Sequence, residues 1–260
     1  MAVSEPQFIT SRDNPLLVGL RKLAQDSTAY RHAGQVWLEG EHLCSALRLR
    51  NGLPQRAVLS EAGWQNPALR ALCSGVAQIT VMPAALFAGI GALASPSAIG
   101  FVMPVPLAPA IAAGVATVVL ARLQDAGNVG SILRSAAAFG VLQVLALKGT
   151  AALWSPKVLR AGMGAHFALR LIEGLDEPAL TALHVPLLAT SSHGNAALPE
   201  APLPWPCAWV LGHEGQGVSP ALLARCALQV RIPQPGGEES LNVAAAAAVC
   251  LYESARRGEP

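Results

Sequence analysis

No charged residue stands between Arg70 and Arg122, yet this stretch also lacks an apolar run long enough to cross a membrane. Pro83, Pro96, Pro104, Pro106 and Pro109 cut it, with Gly89, Gly91, Gly100 and Gly114 besides. None of its segments reaches the ~18–20 residues of a spanning helix. The N-terminus lacks the apolar core of a signal peptide and carries Glu5, Arg12 and Asp13 there. These absences lead to the expectation of a soluble, cytoplasmic protein with no membrane partner. The five cysteines (Cys44, Cys73, Cys207, Cys226 and Cys250) form no C-x-x-C pair and no zinc spacing with the six histidines. They are expected to be reduced thiols packed as small hydrophobes, and no metal is expected. Net charge is scarce too. A formal +2 does not by itself indicate a nucleic-acid partner.

What the chain does have is apolar bulk, 52% of 260 residues, enough for a large domain or two ordinary ones. Pro104-Val-Pro-Leu-Ala-Pro109 is the candidate linker, extended because proline fixes φ and restrains the residue before it. Domains of 1–104 and 110–260 follow. In the first, helical period covers 38–50, 67–73 and a run from Pro83, with strands at 56–59, 77–81 and 99–103. Arg12, Arg21, Lys22, Arg31 and His32 share one polar helical stretch, either a solvated face or an RNA contact. In the second, strands are expected at 115–120, 141–147, 166–172, 185–190, 207–211 and 228–232. Helices are expected at 129–139, ended by Gly140, and at 242–256, where Ala244 to Ala248 run unbroken. Strands alternating with helices imply an α/β fold with a mostly parallel sheet.

In such sheets ligands sit beyond the carboxyl ends of the strands, and three loops there stand out. The first is Leu123-Gln-Asp125-Ala-Gly-Asn128-Val-Gly130-Ser-Ile-Leu-Arg134, a strand end, a turn and a helix start able to hold an anion. Gly130, Ser131 and Arg134 are spaced to share one face, opposite the apolar stripe. An N-cap followed by a surface arginine is the plainer reading. The second, Leu211-Gly212-His-Glu214-Gly-Gln-Gly217, is neither a G-x-G-x-x-G fingerprint nor a P-loop, and could be a ligand loop or a simple turn. The third, Ile232-Pro-Gln-Pro-Gly-Gly-Glu-Glu-Ser240-Leu241-Asn242, enters the last helix with Ser240 or Asn242 as cap.

Together the three loops resemble the motifs of the SpoU (TrmH-type) RNA 2′-O-ribose methyltransferases, of the SPOUT superfamily. The first motif matches 125–140, the second 210–217 and the third 232–243 with the small-residue helix after it. The resemblance is good over about 112–257. It is weaker at Ile9-Thr-Ser11-Arg-Asp-Asn14-Pro15 and Leu38-Glu39-Gly40, which look like the family's substrate-binding domain. Ala126 replaces a usual proline, His213 a common asparagine and Gly162 a frequent serine.

The resemblance implies a C-terminal SPOUT domain with a parallel sheet and deep trefoil knot, and a smaller N-terminal α/β, L30e-like RNA-binding domain. It implies S-adenosyl-L-methionine as cofactor, contacted by Gly212, Gly217, Ile232 and Leu241. It also implies a homodimer acting on RNA, ribosomal RNA before transfer RNA, with Arg12, Arg21, Lys22 and Arg31 as RNA contacts. Asn128, Arg134, Glu214, Ser240 and Asn242 would form the catalytic set. The family role of Arg134 is base-like, although a guanidinium hardly deprotonates, and gripping phosphate or developing alkoxide suits it better. Two rivals remain: a non-catalytic cofactor- and RNA-binding protein, and a dinucleotide-dependent enzyme. The second would need a glycine fingerprint and a later acidic residue that the sequence lacks.

Overall fold

The computed structural model describes residues 4–91, 97–191, 194, 196–236 and 241–258. Its contacts divide the chain into two units, Met1–Leu107 with Trp154–Phe167, and Ala108–Leu153 with Ala168–Pro260. The break at 107/108 falls inside the proline-rich segment. Trp154–Phe167, which a linear division leaves in the second domain, packs with the first.

The first unit runs β1 (Gln7–Phe8), α1 (Pro15–Gln25), α2 (Ala29–Ala33), β2 (Gln35–Glu39), α3 (Glu41–Leu49), β3 (Arg56–Ser60), α4 (Glu61–Gln65), α5 (Pro67–Leu72), β4 (Gln78–Met82), α6 (Ala84–Ala88) and β5 (Ile99–Pro104). Its sheet has the order β1-β4-β3-β5-β2, with β5 antiparallel to both neighbours. Two expectations change here. Leu38 and Glu39 belong to a strand rather than a helix, because Val36, Trp37 and Leu38 are all buried in the sheet. Gly40, at φ 103°, then turns the chain into α3. The single basic helix is in fact two: Asp26 accepts from the Thr28 amide at 2.8 Å and turns the chain, so Arg12 precedes α1 and Arg31 lies on α2.

The second unit runs β6 (Thr117–Ala121), α7 (Ala126–Ala138) and β7 (Gln143–Leu147). The excursion with α8 (Pro156–Gly162) follows, then β8 (Arg170–Leu175), β9 (Leu187–Thr190), β10 (Ala196–Ala197), β11 (Ala208–Gly212), α9 (Pro220–Leu223), β12 (Leu228–Arg231) and α10 (Val243–Arg257). All seven strands are parallel, in the order β10-β12-β9-β11-β6-β7-β8, which is the α/β fold expected. Residues 166–168 belong to a 3-10 turn rather than a strand, and β8 starts at Arg170. Val119, Leu145, Val210 and Leu222 are among the core residues that fix the sheet. The Trp209 indole N–H, fully buried, donates to Ser254 of α10 at 2.9 Å. A buried indole with its donor satisfied holds the last helix against the sheet.

Candidate active site

In the register of the second sheet, Gly212 at the end of β11 lies beside Ala121 at the end of β6. The loops that follow these two strands are therefore neighbours. The first begins at Arg122, held at φ 63° with its amide donating to Thr150 Oγ1 at 3.1 Å. A non-glycine residue in this region is uncommon outside constrained sites. Helix α7 begins at Ala126, earlier than expected, because Asp125 caps it and accepts from the Asn128 amide at 2.8 Å. Asn128 is thereby released from capping. Its side chain is half-buried in the first turn.

Glu214, from the β11 loop, uses that side chain. Its carboxylate accepts from Asn128 Nδ2 at 3.3 Å and from the backbone amides of Asp125 at 3.2 Å and Gln124 at 3.3 Å. Partial desolvation works against the charge, but its own backbone amide, Asn128 and the Asp125 and Gln124 amides outweigh it and hold this carboxyl below its ordinary range. On the other side, Asn242 Nδ2 donates to Asn128 Oδ1 at 3.0 Å. Asn242 also caps α10, accepting from the amides of Ala244 at 2.9 Å and Ala245 at 3.2 Å. One chain of hydrogen bonds, Glu214–Asn128–Asn242, thus joins all three loops.

The β11 loop is held by its own hydrogen bonds. His213 and Gly217 pair backbone to backbone, and His213 Nδ1 accepts from the amides of Gly215 at 3.0 Å and Gln216 at 3.2 Å. The imidazole does here what an asparagine side chain does in an Asx-turn. Gly212 is obligatory for steric reasons: a Cβ there would collide with the backbone of Gly217 and Val218.

The remaining candidates are placed as follows. Arg134 lies on the exposed side of α7 and has no hydrogen-bond or ion-pair partner among the described residues. Gly130 does not share that open side; it is buried with Val129, Ile132 and Leu133, because α7 also packs on α10. Ile232, half-buried, follows β12, and Leu241, 42% exposed, precedes the α10 cap. Ser240 lies outside the described residues. Among the described residues no cluster of histidine, cysteine or acidic side chains could hold a metal ion, and no helix is long and apolar enough to cross a membrane. In the first unit, Arg21 is engaged with the carbonyls of Gly89 and Arg12, and Arg31 lies over the Tyr30 ring at 5.5 Å, while Lys22 is exposed. Sequence reasoning missed the Asp125 cap, the His213 turn and the Arg122 backbone. Only Asp125, a capping residue type just past a strand, carried a readable signal.

An uncharacterized tRNA/rRNA methyltransferase of Synechocystis sp. is 35% identical over 268 residues, spanning 98% of this chain and 95% of the relative. A crystal structure of an RNA 2′-O ribose methyltransferase superposes with a TM-score of 0.81 at 28% identity, covering 96% of this chain and 99% of that one. The SpoU methyltransferase AviRb of Streptomyces viridochromogenes, in complex with AdoMet, has the same fold, with a TM-score of 0.85 at 23% identity over 94% of this chain and 98% of that one. The SpoU rRNA Methylase family matches residues 116–252, from the start of the seven-stranded sheet through most of α10, and this chain belongs to that family.

Proposed function

We propose that this chain transfers a methyl group from S-adenosyl-L-methionine to a ribose 2′-hydroxyl of RNA, with ribosomal RNA as the substrate class. The observation that carries this reading is the Glu214–Asn128–Asn242 chain at the carboxyl edge of the parallel sheet, with the exposed guanidinium of Arg134 on the same helix as Asn128.

The residues present fit the cofactor. Gly212 offers bare backbone where a side chain cannot stand, and Gly217, Ile232 and Leu241 add backbone groups and apolar surface at the same sheet edge. The cofactor supplies an electrophilic methyl on a sulfonium. The chain's own contribution is positioning and charge. Asn128 and Asn242 give directional hydrogen bonds without adding net charge near the reacting oxygen. Arg134 holds the substrate phosphate and stabilises the negative charge that develops on the 2′ oxygen, whose proton passes to solvent water.

The wider assignment follows family membership: a deep trefoil knot in the second unit, a cytoplasmic setting, and RNA contacts from the first unit with Lys22 among them. A homodimer belongs to the same proposal, on the family resemblance alone. Light scattering at micromolar concentration tests it. Incubation with tritiated S-adenosylmethionine and total RNA, followed by nucleoside analysis, tests the reaction. Label in a 2′-O-methylated nucleoside is expected. Cofactor binding with no transfer to any RNA would favour the non-catalytic alternative.

A further inference from the structure

The first unit has a feature that the proposed chemistry does not use. Arg56 and Gln78 open β3 and β4 side by side, and Val102 lies beside Arg56 toward the end of the antiparallel β5. Paired residues point to the same face of a sheet. Here they line a hollow of about 490 Å³, together with Leu16, Gln35, Gln55 and Ala77. Arg56 is half-buried and no carboxylate pairs with it among the described residues. Its one partner is neutral: Nη1 donates to the fully buried Thr80 hydroxyl at 2.7 Å. Burial pulls this guanidinium below its ordinary value, a cost that no ion pair offsets. Gln35 Nε2 donates to Gln55 Oε1 at 3.2 Å, which leaves one amide oxygen and one NH₂ of the pair for a ligand.

A second hollow of about 360 Å³ shares Leu16, Gln35 and Val102 with the first and adds Lys22 and His32. Both volumes lie in the ~300–1,000 Å³ range of small-ligand sites. One hollow is lined by three amides and a fork of donors, and the adjoining one carries an exposed ammonium. The first suits a planar group with a mixed donor and acceptor edge; the second suits the negative strand that bears it.

We propose that this end of the five-stranded sheet receives one unstacked nucleobase of the RNA, with guanine preferred, its O6 and N7 facing the free guanidinium edge of Arg56 and its remaining polar groups facing Gln35, Gln55 and Gln78. Arginine presents a bidentate fork to that pair of acceptors, and single-stranded bases are read in this way in RNA recognition. Leu16 and Val102 form the apolar wall, and Lys22 meets the neighbouring phosphate. The proposal rests on the reading that the chain acts on RNA.

Seven-nucleotide uridine RNAs with a central guanosine, adenosine or abasic site, titrated into the full-length chain by fluorescence anisotropy, test it. The guanosine strand should bind tighter than the abasic one by roughly five- to a hundredfold, the worth of one good bidentate base contact. Arg56→Lys and the exposed Gln55→Ala should each erode that preference while the thermal midpoint and S-adenosylmethionine affinity stay at wild-type values. Equal binding of the guanosine and abasic strands would mean the hollow reads phosphate or sugar, and would overturn the proposal. So would a guanosine preference that survives both variants. A wild-type chain that binds S-adenosylmethionine but none of the RNAs overturns the RNA reading itself, a result distinct from loss of base preference alone.

Discussion

Asn242 donates its side-chain amide to Asn128 at 3.0 Å across 114 residues of sequence, while its own oxygen caps α10. The two jobs can be separated. Asn242→Asp keeps the cap, because aspartate serves there as well as asparagine. It also places a carboxylate against Asn128 Oδ1, and Asn128 cannot turn to donate to it without setting that oxygen against Glu214. Methyl transfer should fall about 100-fold, the low end of the cost of removing a preorganised donor, with the melting temperature nearly unchanged. Asn242→Ala should lose about 1 kcal/mol as well. Equal activity of Asn242→Asp and wild type would show the bridge to be structural.

Arg134→Ala should abolish transfer while S-adenosylmethionine binds almost as before, since the role proposed for the arginine is toward the ribose and phosphate and not toward the cofactor. Arg134→Lys should fail too, because an ammonium cannot replace a planar fork. The loss is expected to reach about 10²–10³ in rate or more. Calorimetric cofactor binding beside a tritiated-methyl assay separates the outcomes, and wild-type turnover in the alanine variant would remove Arg134 from the site.

Gly212→Ala forces a methyl group into the backbone of Gly217 and Val218. Overpacking of this kind costs about 1–3 kcal/mol. Cofactor affinity should fall together with thermal stability, because the strained segment is the proposed cofactor loop. A variant that melts and binds like wild type would show that the loop yields.

Lys22→Glu should weaken RNA binding at every sequence and lower the slope of log affinity against log salt by about one or more. Arg21 is unsuitable for this test, since its side chain is engaged with two backbone carbonyls. An unchanged salt slope would return Lys22 to the status of a solvated surface residue.

The acid limb of stability should carry the mark of α10. The Arg256 side chain first, and Arg257 beside it, hold the Glu253 carboxyl down to about 2 against an ordinary 4.5. A depressed carboxyl stabilises fully above its unfolded value and loses that contribution as pH falls through the folded one. The window is therefore pH 4.5 down to about 2. Melting curves across it should slope less in Glu253→Gln than in wild type. Parallel curves would mean that the pair contributes nothing measurable.

Much of the second unit was legible because its strands are continuous apolar runs and its loops carry motifs in order. Gly140, at φ 76°, ends the helix where expected. Misreadings arose where a sequence permits two answers. Asp125-Ala-Gly-Asn128 holds two residues able to cap, and only the fold decides that Asp125 does so and leaves Asn128 for Glu214. The end of β2, Leu38 and Glu39, runs into a helical pattern with no break except Gly40, so these two residues read as helix. The Arg56 and glutamine cluster was invisible for a different reason: its members come from separate strands, and only sheet register brings them together.

The excursion Trp154–Phe167 bears on how such chains are recombined. It leaves the second unit after β7, packs α8 on α1 and β2, and returns before β8. A crossover at the proline segment would not exchange the whole first unit. The recipient would keep its own α8 and would have to seat it on a foreign α1 and β2, with Gly164 pressed against the residue at position 46. Chimeras that retarget this scaffold therefore need two grafts, 1–107 and 154–167, taken from the same parent.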